Sequence, residues 1–464
     1  MDVFNINGYT LDDNQKKAIT TEKENVLLIA GAGSGKTSTI VGKIRYLVEY
    51  KNIDCNQILC ISFTNKCVDN LKNMLLNDYG YNIDVYTFHK LSLDIIKSYS
   101  KDISVSDEKL LDYVINEFFY RFVHDKRLLK KDEYKMLINT IKTFINIFKT
   151  KNYNIDKFNT ILKKIKYSNK YILIWIIKCI YIEYQEELKS TCEIDFNDMI
   201  NYAYDTLNKN RNMKSYKYII IDEYQDTSYS KYKLMSKIKE ITNAKLFAVG
   251  DDFQSIYRFT GCDLNIFINF KKYFKNSKIL KINNTYRNSK ELIYVSGHFI
   301  MKNKYQIRKK LKSNKSIDRP IIVIFTNNCK KVLYDLINKI DTNILILGRN
   351  NDDIYNVDSN FSESDKVRYM TVHKSKGLEE DNVIIINLND CISGFPNKIK
   401  SDNILSLILE EKELYPYDEE RRLFYVALTR TKNYVYLISD RSKPSYFIRE
   451  IVRDYEKYIK VLFY

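Results

Sequence analysis

The chain has 464 residues, enough for two to four domains with sizeable cores, and 75 Lys and Arg against 58 Asp and Glu give a net charge of +17. That excess fits a polyanionic partner, although a coding bias toward Lys and Asn produces the same charge. The eight cysteines, at 55, 60, 67, 179, 192, 262, 329 and 391, form no Cys-x-x-Cys pair, which argues against a zinc ribbon or a disulfide framework and for a reduced, cytoplasmic setting.

The N-terminus, Met1-Asp2-Val3-Phe4-Asn5, lacks the basic-then-apolar pattern of a signal peptide. The first strong element is the apolar strand Leu27-Leu28-Ile29-Ala30, which stops at Gly31-Ala32-Gly33-Ser34-Gly35-Lys36-Thr37-Ser38 and leads into a helix-compatible segment. Strand, Gly-rich turn and helix N-terminus are what a nucleoside triphosphate needs, because backbone N–H groups can face the phosphates without a Cβ in the way. Residues 30–38 are therefore the expected phosphate cradle. Lys36 is expected to reach the β- and γ-phosphates, and Thr37 to take a place on Mg²⁺.

Asn56 to Phe63 then reads as a strand, Lys66 to Leu76 as a helix and Val85 to Phe88 as a short strand. From about Asp107 to Ser190 apolar residues recur at helical spacing among many lysines. The most apolar window, Tyr171 to Ile182, is too short to span a bilayer, contains Lys178 and reads as a buried helix, so no membrane is expected as a partner.

Strand–helix alternation resumes near Tyr216. The strand Tyr218-Ile219-Ile220-Ile221 ends in Asp222-Glu223-Tyr224-Gln225-Asp226. Asp222 at the strand tip is expected to hold the metal and Glu223 to orient and deprotonate the attacking water. Later strands are expected at Lys245–Gly250, Pro320–Phe325, Asn343–Leu347, Val383–Asn387 and Tyr434–Ile438. Such alternation implies an α/β protein with parallel sheets and ligand sites at their carboxyl ends, here with a helical segment inserted in the first sheet.

Taken in order, the motifs resemble those of superfamily 1 DNA helicases of the UvrD/Rep type, most closely the DNA helicase IV branch, over nearly the whole chain. Leu11-Asp12-Asp13-Asn14-Gln15 is similar to the adenine-reading segment, and Ser62-Phe63-Thr64-Asn65-Lys66 and Thr87-Phe88-His89 to the first two single-strand contacts. Asp195-Phe196-Asn197-Asp198-Met199 is similar to the acidic-aromatic segment before the metal-binding strand. Gly250 to Phe259, Thr285-Tyr286-Arg287, Val372 to Glu379 and Glu420 to Arg430 complete the series.

The resemblance implies two RecA-like P-loop lobes: 1–97 and 190–265 as the first, 98–189 as its helical insertion, and 266–464 as the second. It implies an ATP- and Mg²⁺-dependent motor moving 3′→5′ on single-stranded or tailed duplex DNA. Arg287 and Arg430 would neutralise the γ-phosphate, Gln254 would bond that phosphate or its water, Tyr286 would stack on adenine, Gln15 would read its edge, and Glu379 would accept from the ribose. Phe63, Tyr257 and Phe259 would stack on bases, while Thr64, Asn65, Thr87, His89 and His373 would contact the strand. Core packing is the competing account of Phe63 and Phe88, and a structural histidine that of His89.

Two departures stand out. In UvrD and Rep a large helical domain separates the Tyr-Arg and Val-His-Lys motifs. Here second-lobe elements use the residues between Arg287 and Thr371, so that domain is expected to be absent or reduced to a loop near Met301 to Asp318. Thr260 also stands where UvrD-type members carry Arg. Past Arg430 the sequence runs to Tyr464 without a nuclease or zinc-binding pattern, so a combined helicase–nuclease is not expected in it. A DNA-activated ATPase switch working with a separate nuclease or repair protein is the alternative to a helicase.

Overall fold

The computed structural model describes residues 3–100, 102–122, 131–166, 168–398, 404–409 and 415–464. Strands β1 (Asn25–Ala30), β2 (Ile58–Ser62), β3 (Asp84–Thr87), β4 (Tyr218–Ile221), β5 (Lys245–Gly250) and β6 (Ser277–Ile282) form a parallel sheet in the order β6-β1-β5-β4-β2-β3. Side chains alternate across it. Leu27, Ile29, Ile219 and Ile221 enter one apolar cluster, and Val26, Leu28, Tyr218 and Ile220 the other, as a sheet covered on both faces requires.

Among helices of eight residues or more, α1 (Asp13–Thr20), α2 (Lys36–Arg45), α3 (Asn65–Tyr79) and α4 (Phe88–Lys97) come first. Next are α5 (Leu110–Phe122), α6 (Lys131–Thr150), α7 (Ile155–Lys164) and α8 (Asn169–Ser190), the insertion between β3 and β4. A parallel pairing of Ser104–Val105 with Glu193–Ile194 closes its base. Helices α9 (Phe196–Asn210) and α10 (Tyr229–Thr242) return the chain to the first lobe.

Lys149 at the end of α6 is buried and ion-paired with Asp195 at 2.5 Å and Asp198 at 2.6 Å, which fastens the insertion to the start of α9. The apolar window in α8 is not buried all round. Ile174, Ile177 and Ile180 are fully covered, but Ile172 and Trp175 on the other face are 64% and 50% exposed. The helical period divides even a uniformly apolar run into an inner and an outer face.

A second parallel sheet holds β7 (Ile321–Thr326), β8 (Ile344–Gly348), β9 (Val367–Thr371), β10 (Asn382–Ile385), β11 (Val435–Asp440) and β12 (Ile459–Phe463), in the order β9-β8-β10-β11-β7-β12. Helices α11 (Lys290–Met301), α12 (Cys329–Lys339), α13 (Asp418–Leu428) and α14 (Tyr446–Asp454) belong to this lobe. The architecture is thus α/β with two parallel lobes and a helical insertion in the first.

The expected boundary at 265/266 does not separate the lobes, because β6 pairs in register with β1 as an edge of the first sheet. From 288 to 366 the chain forms α11, β7, α12, β8, a short helix at Asp353–Val357 and their connections. The loop expected near Met301 to Asp318 is a strap that runs back over the first lobe. The Lys312 N–H donates to Asn283 O at 2.7 Å and Ile307 N–H to Asp252 at 2.8 Å, while Lys309 is ion-paired with Asp251 and Asp252.

A second crossing is made by Ile404–Leu409, between β10 and α13 in sequence. Ile404 and Ile408 lie in the apolar cluster of the helical insertion with Ile141, Phe144 and Phe158. All eight cysteines are unpaired, and among the described residues no helix is long and apolar enough to cross a membrane.

Candidate functional site

The phosphate loop sits at the carboxyl end of β1, where a parallel sheet offers its ligand position. Gly33 and Gly35 have φ of +67° and +75°, which a side chain would strain. A Cβ at Gly33 would also stand 2.5 Å from Arg287 Cβ, so the second lobe closes directly on the loop. The Tyr286 N–H donates to Gly33 O at 2.8 Å and the Thr285 hydroxyl to Ala32 O at 2.7 Å. Beneath this contact Ala32, Phe253, Ile300 and Tyr425 form a small buried cluster shared by both lobes.

Lys36 opens α2 and its ammonium lies 3.2 Å from Glu223. Glu223 has φ +50°, a left-handed conformation unusual outside glycine, and such strain gathers at functional sites. Gln225 Nε2 donates to Glu223 on one side and, at 3.4 Å, to Asp226 on the other. Burial alone would raise Glu223, but the charges of Lys36 and Lys376 outweigh it and hold its carboxyl below the usual range. Burial, and then the charge of Glu223, push Asp222 upward. The two adjacent carboxylates thus differ, Glu223 held in its charged form and Asp222 biased toward its protonated one.

Thr37 is exposed at the first turn of α2, and Asp222 directly follows β4, two strands away in the same sheet. Hydroxyl and carboxylate oxygens with few further protein donors suit a hard cation that keeps its water and binds phosphate, the habit of Mg²⁺.

Facing them from the second lobe are two guanidinium groups. Arg287 Nε donates to Glu379 at 2.5 Å and its Nη1 to Thr429 O at 3.3 Å. Arg430 is 1% exposed and donates to Leu378 O at 3.0 Å and to the Gln254 amide oxygen at 3.3 Å. Burial, then the neighbouring charge of Arg287, lower Arg430 to about 9. Surplus positive charge in a dry cleft favours an anion there. Gln254 is aimed from the other side by Asp251, which accepts from its Nε2 at 2.7 Å.

Gln15 is 1% exposed, and its Nε2 donates to Ser34 O, Gly35 O and Thr39 Oγ1 at 3.2–3.5 Å. It braces the phosphate loop, so reading a base edge requires it to give up one of these acceptors. Tyr286 is 60% exposed beside the loop, its hydroxyl on Asp12 at 3.0 Å. Glu379 is 44% exposed and engaged by Arg287.

An aromatic row lies across the same pair of lobes. Phe63 stacks on Tyr257 with centroids 5.4 Å apart, Tyr257 meets Phe259 edge-on at 6.2 Å, and Phe259 meets His373 edge-on at 5.4 Å. Phe259 is half exposed, whereas Phe88 packs in the first-lobe core. His89 lies apart from the row, edge-on to Phe196 at 5.6 Å. Burial, aided by Lys231 near His89 and by Arg349 and Lys376 near His373, lowers both imidazoles to about 4, so they stand neutral.

Thr64 and Thr87 serve as N-caps of α3 and α4, accepting from Cys67 N and Lys90 N at 3.2 Å. Capping with a hydroxyl orients helix N-termini at the carboxyl ends of β2 and β3, where they suit phosphate. Asn65 is exposed on the first turn of α3 and Ser38 half-buried on that of α2. Thr260 uses its hydroxyl on Tyr257 O at 2.8 Å. Sequence reasoning assigned no role to Lys376, Asp226, Gln225 or Lys309; the pairs Lys376–Asp226 and Lys309–Asp251 join segments distant in sequence and carry no local signal.

Comparison with known proteins identifies relatives of the whole chain. Residues 11–275 match the model of the UvrD/REP helicase N-terminal domain, and 350–442 that of the UvrD-like helicase C-terminal domain. DNA helicase IV of Escherichia coli is 27% identical over 96% of this chain and 70% of its own length. A probable DNA helicase II homolog of Mycoplasma capricolum is 31% identical over 68% of this chain, and the ATP-dependent DNA helicase Rep of Buchnera aphidicola (subspecies Schizaphis graminum) 31% identical over 71%. The chain spans half or less of the length of those last two relatives, 44% and 50%.

Proposed function

The chain belongs to the UvrD/Rep helicase family, and on that premise we propose that it is an ATP- and Mg²⁺-dependent motor that moves 3′→5′ along single-stranded DNA and separates strands at a tailed duplex. The observation that carries this reading is one composite cleft: Lys36, Glu223 and Gln254 on the first lobe face Arg287 and Arg430 on the second, with the aromatic row spanning the same two lobes. Direction rests on family likeness alone.

In this reading ATP displaces Glu223 from Lys36, and the freed carboxylate takes the proton of the water that attacks the γ-phosphorus. The bond to the β-phosphate breaks, and ADP and phosphate leave. Arg287 and Arg430 stabilise the charge that spreads over the γ-oxygens, and Gln254 orients the water or the phosphate. Thr37 and Asp222 would hold Mg²⁺, which would supply further charge neutralisation. Tyr286 covers the adenine and Gln15 reads its edge. Phe63, Tyr257 and Phe259 offer sequence-tolerant stacking, while Thr64, Asn65, Thr87, His89 and His373 hold backbone and sugar. Each turnover closes and opens the cleft, alternating the grip of the two lobes on the strand.

A second reading is a DNA-activated ATPase switch that works in the cytoplasm with a separate nuclease or repair protein. It is favoured by the run from 288 to 366, which is taken up by second-lobe elements and the strap. ATP turnover with and without single-stranded DNA, alongside Lys36→Ala, tests the shared core of both readings. Strong stimulation that Lys36→Ala abolishes supports it; full turnover by Lys36→Ala refutes the nucleotide assignment.

A further inference from the structure

The loop that follows β9 touches both halves of the cleft. At its start the His373 carbonyl accepts from the Tyr257 hydroxyl at 3.2 Å, and at its end Glu379 holds Arg287. Between them Lys376 leaves the second lobe and enters the first, with a side chain only 7% exposed. Its ammonium is ion-paired with the fully buried Asp226, donates to Gln254 O at 2.8 Å, and lies 4.9 Å from the centre of the Tyr257 ring.

Each of those partners has a further connection. Asp226 shares the Gln225 amide with Glu223, the expected base. The Gln254 side chain meets Arg430. Tyr257 is stacked on Phe63, whose other neighbour is Lys231 at 4.5 Å from the ring centre. Cation, ring, ring and cation are thus gathered in one unit, with Lys376 anchored at Asp226 and Gln254. A base that stacks on this row must part Phe63 from Tyr257 or shift one of them, so DNA binding would exchange ring on ring for ring on base. With ring on ring, Lys376 faces Tyr257. In a dry setting it cannot follow the ring without altering Asp226 and Gln254.

Resting on the motor reading, we propose that Lys376 is the positioning residue that couples single-stranded DNA on the aromatic row to ATP hydrolysis. It touches neither the reacting atoms nor the base. It transmits the position of Tyr257 to Gln254 and, through Asp226 and Gln225, to Glu223.

The test is steady-state ATP turnover of the full chain with a saturating oligothymidylate, together with the KM for ATP and the Kd for the oligonucleotide. Lys376→Met should lower the DNA-stimulated kcat by about tenfold, within the usual strength of site-to-site coupling, while KM and Kd stay within about threefold. Lys376→Arg, which keeps the charge, should recover most of the loss. Lone removal of Lys376 leaves Asp226 buried without its cation, so Lys376→Met combined with Asp226→Asn provides a folded, charge-neutral comparison. If the two residues act as one unit, the double variant should be no slower than Asp226→Asn alone. Stimulation by Lys376→Met within twofold of wild type overturns the coupling. So does a weakened Kd with kcat intact at saturation, which would make Lys376 a simple DNA contact. Wild-type turnover that DNA does not raise would refute the motor reading itself, a different result from the loss of coupling in the variant.

Discussion

Replacing Glu223 by glutamine should leave ATP bound and its hydrolysis stalled. The amide keeps the side chain's shape and its contact with Gln225, but it removes the charge that pairs with Lys36 at 3.2 Å. At an effective dielectric of about 20 the gross attraction across that distance is about 5 kcal/mol. Desolvation of both ions offsets most of it, so freeing Lys36 for phosphate should tighten ATP binding by about tenfold or less. Losing the base should instead slow kcat by about 10²–10⁴-fold, roughly 3–5 kcal/mol of barrier. Asp222 becomes easier to ionise in the variant, because the charge of Glu223 is the largest cause after burial of its raised pKa. DNA-stimulated turnover and equilibrium binding of a fluorescent ATP analogue separate the two effects. Turnover within about threefold of wild type would refute Glu223 as base, and loss of ATP binding would show that it serves the ground state instead.

Phe259→Ala should barely change the thermal transition, since the ring is 51% exposed, yet weaken single-strand binding by about 1–3 kcal/mol; unchanged affinity would return Phe259 to ordinary packing. His373 is held at about 4, below its usual value, so between these limits the unfolded chain binds the extra proton. Its contribution to stability is complete above about pH 6.5 and is lost as pH falls toward 4. His373→Gln should therefore lose less Tm than wild type between pH 7.5 and 5, and equal losses would contradict the shift. Ile408→Ala removes a fully covered side chain and should cost about 2–4 kcal/mol locally. Hydrogen exchange in α6 should quicken while β1 and β8 stay protected; an unchanged α6 would mean that Ile404–Leu409 does not brace the insertion.

Much of the nucleotide half of the cleft was legible because strand, loop and helix N-terminus are contiguous in sequence, as at Leu27 to Ser38 and at Tyr218 to Asp226. The strand β6 escaped assignment to the first lobe. It lies beyond the last first-lobe motif and is an edge, carrying Lys278 and Lys281, so nothing apolar and continuous announced its partner. Composition cannot tell which face of an apolar helix meets a neighbour, so the α8 window reads as buried throughout although Ile172 and Trp175 are exposed. Thr64 and Thr87 could have been read as helix caps from their place just before helical patterns. Lys376, Lys309 and Ile408 could not have been found that way. Each gains its role from a partner more than fifty residues distant, Asp226 for Lys376, Asp251 for Lys309 and the insertion core for Ile408.

Displacement of a labelled strand from duplexes bearing either a 3′ or a 5′ single-stranded tail, in ATP and Mg²⁺, tests the central claim most directly. A 3′→5′ motor loads on the 3′ tail, so displacement from that substrate alone, abolished by Lys36→Ala, is the predicted result. Displacement from the 5′ tail alone would contradict the polarity, and DNA-stimulated turnover without displacement from either tail would contradict the helicase in favour of the switch.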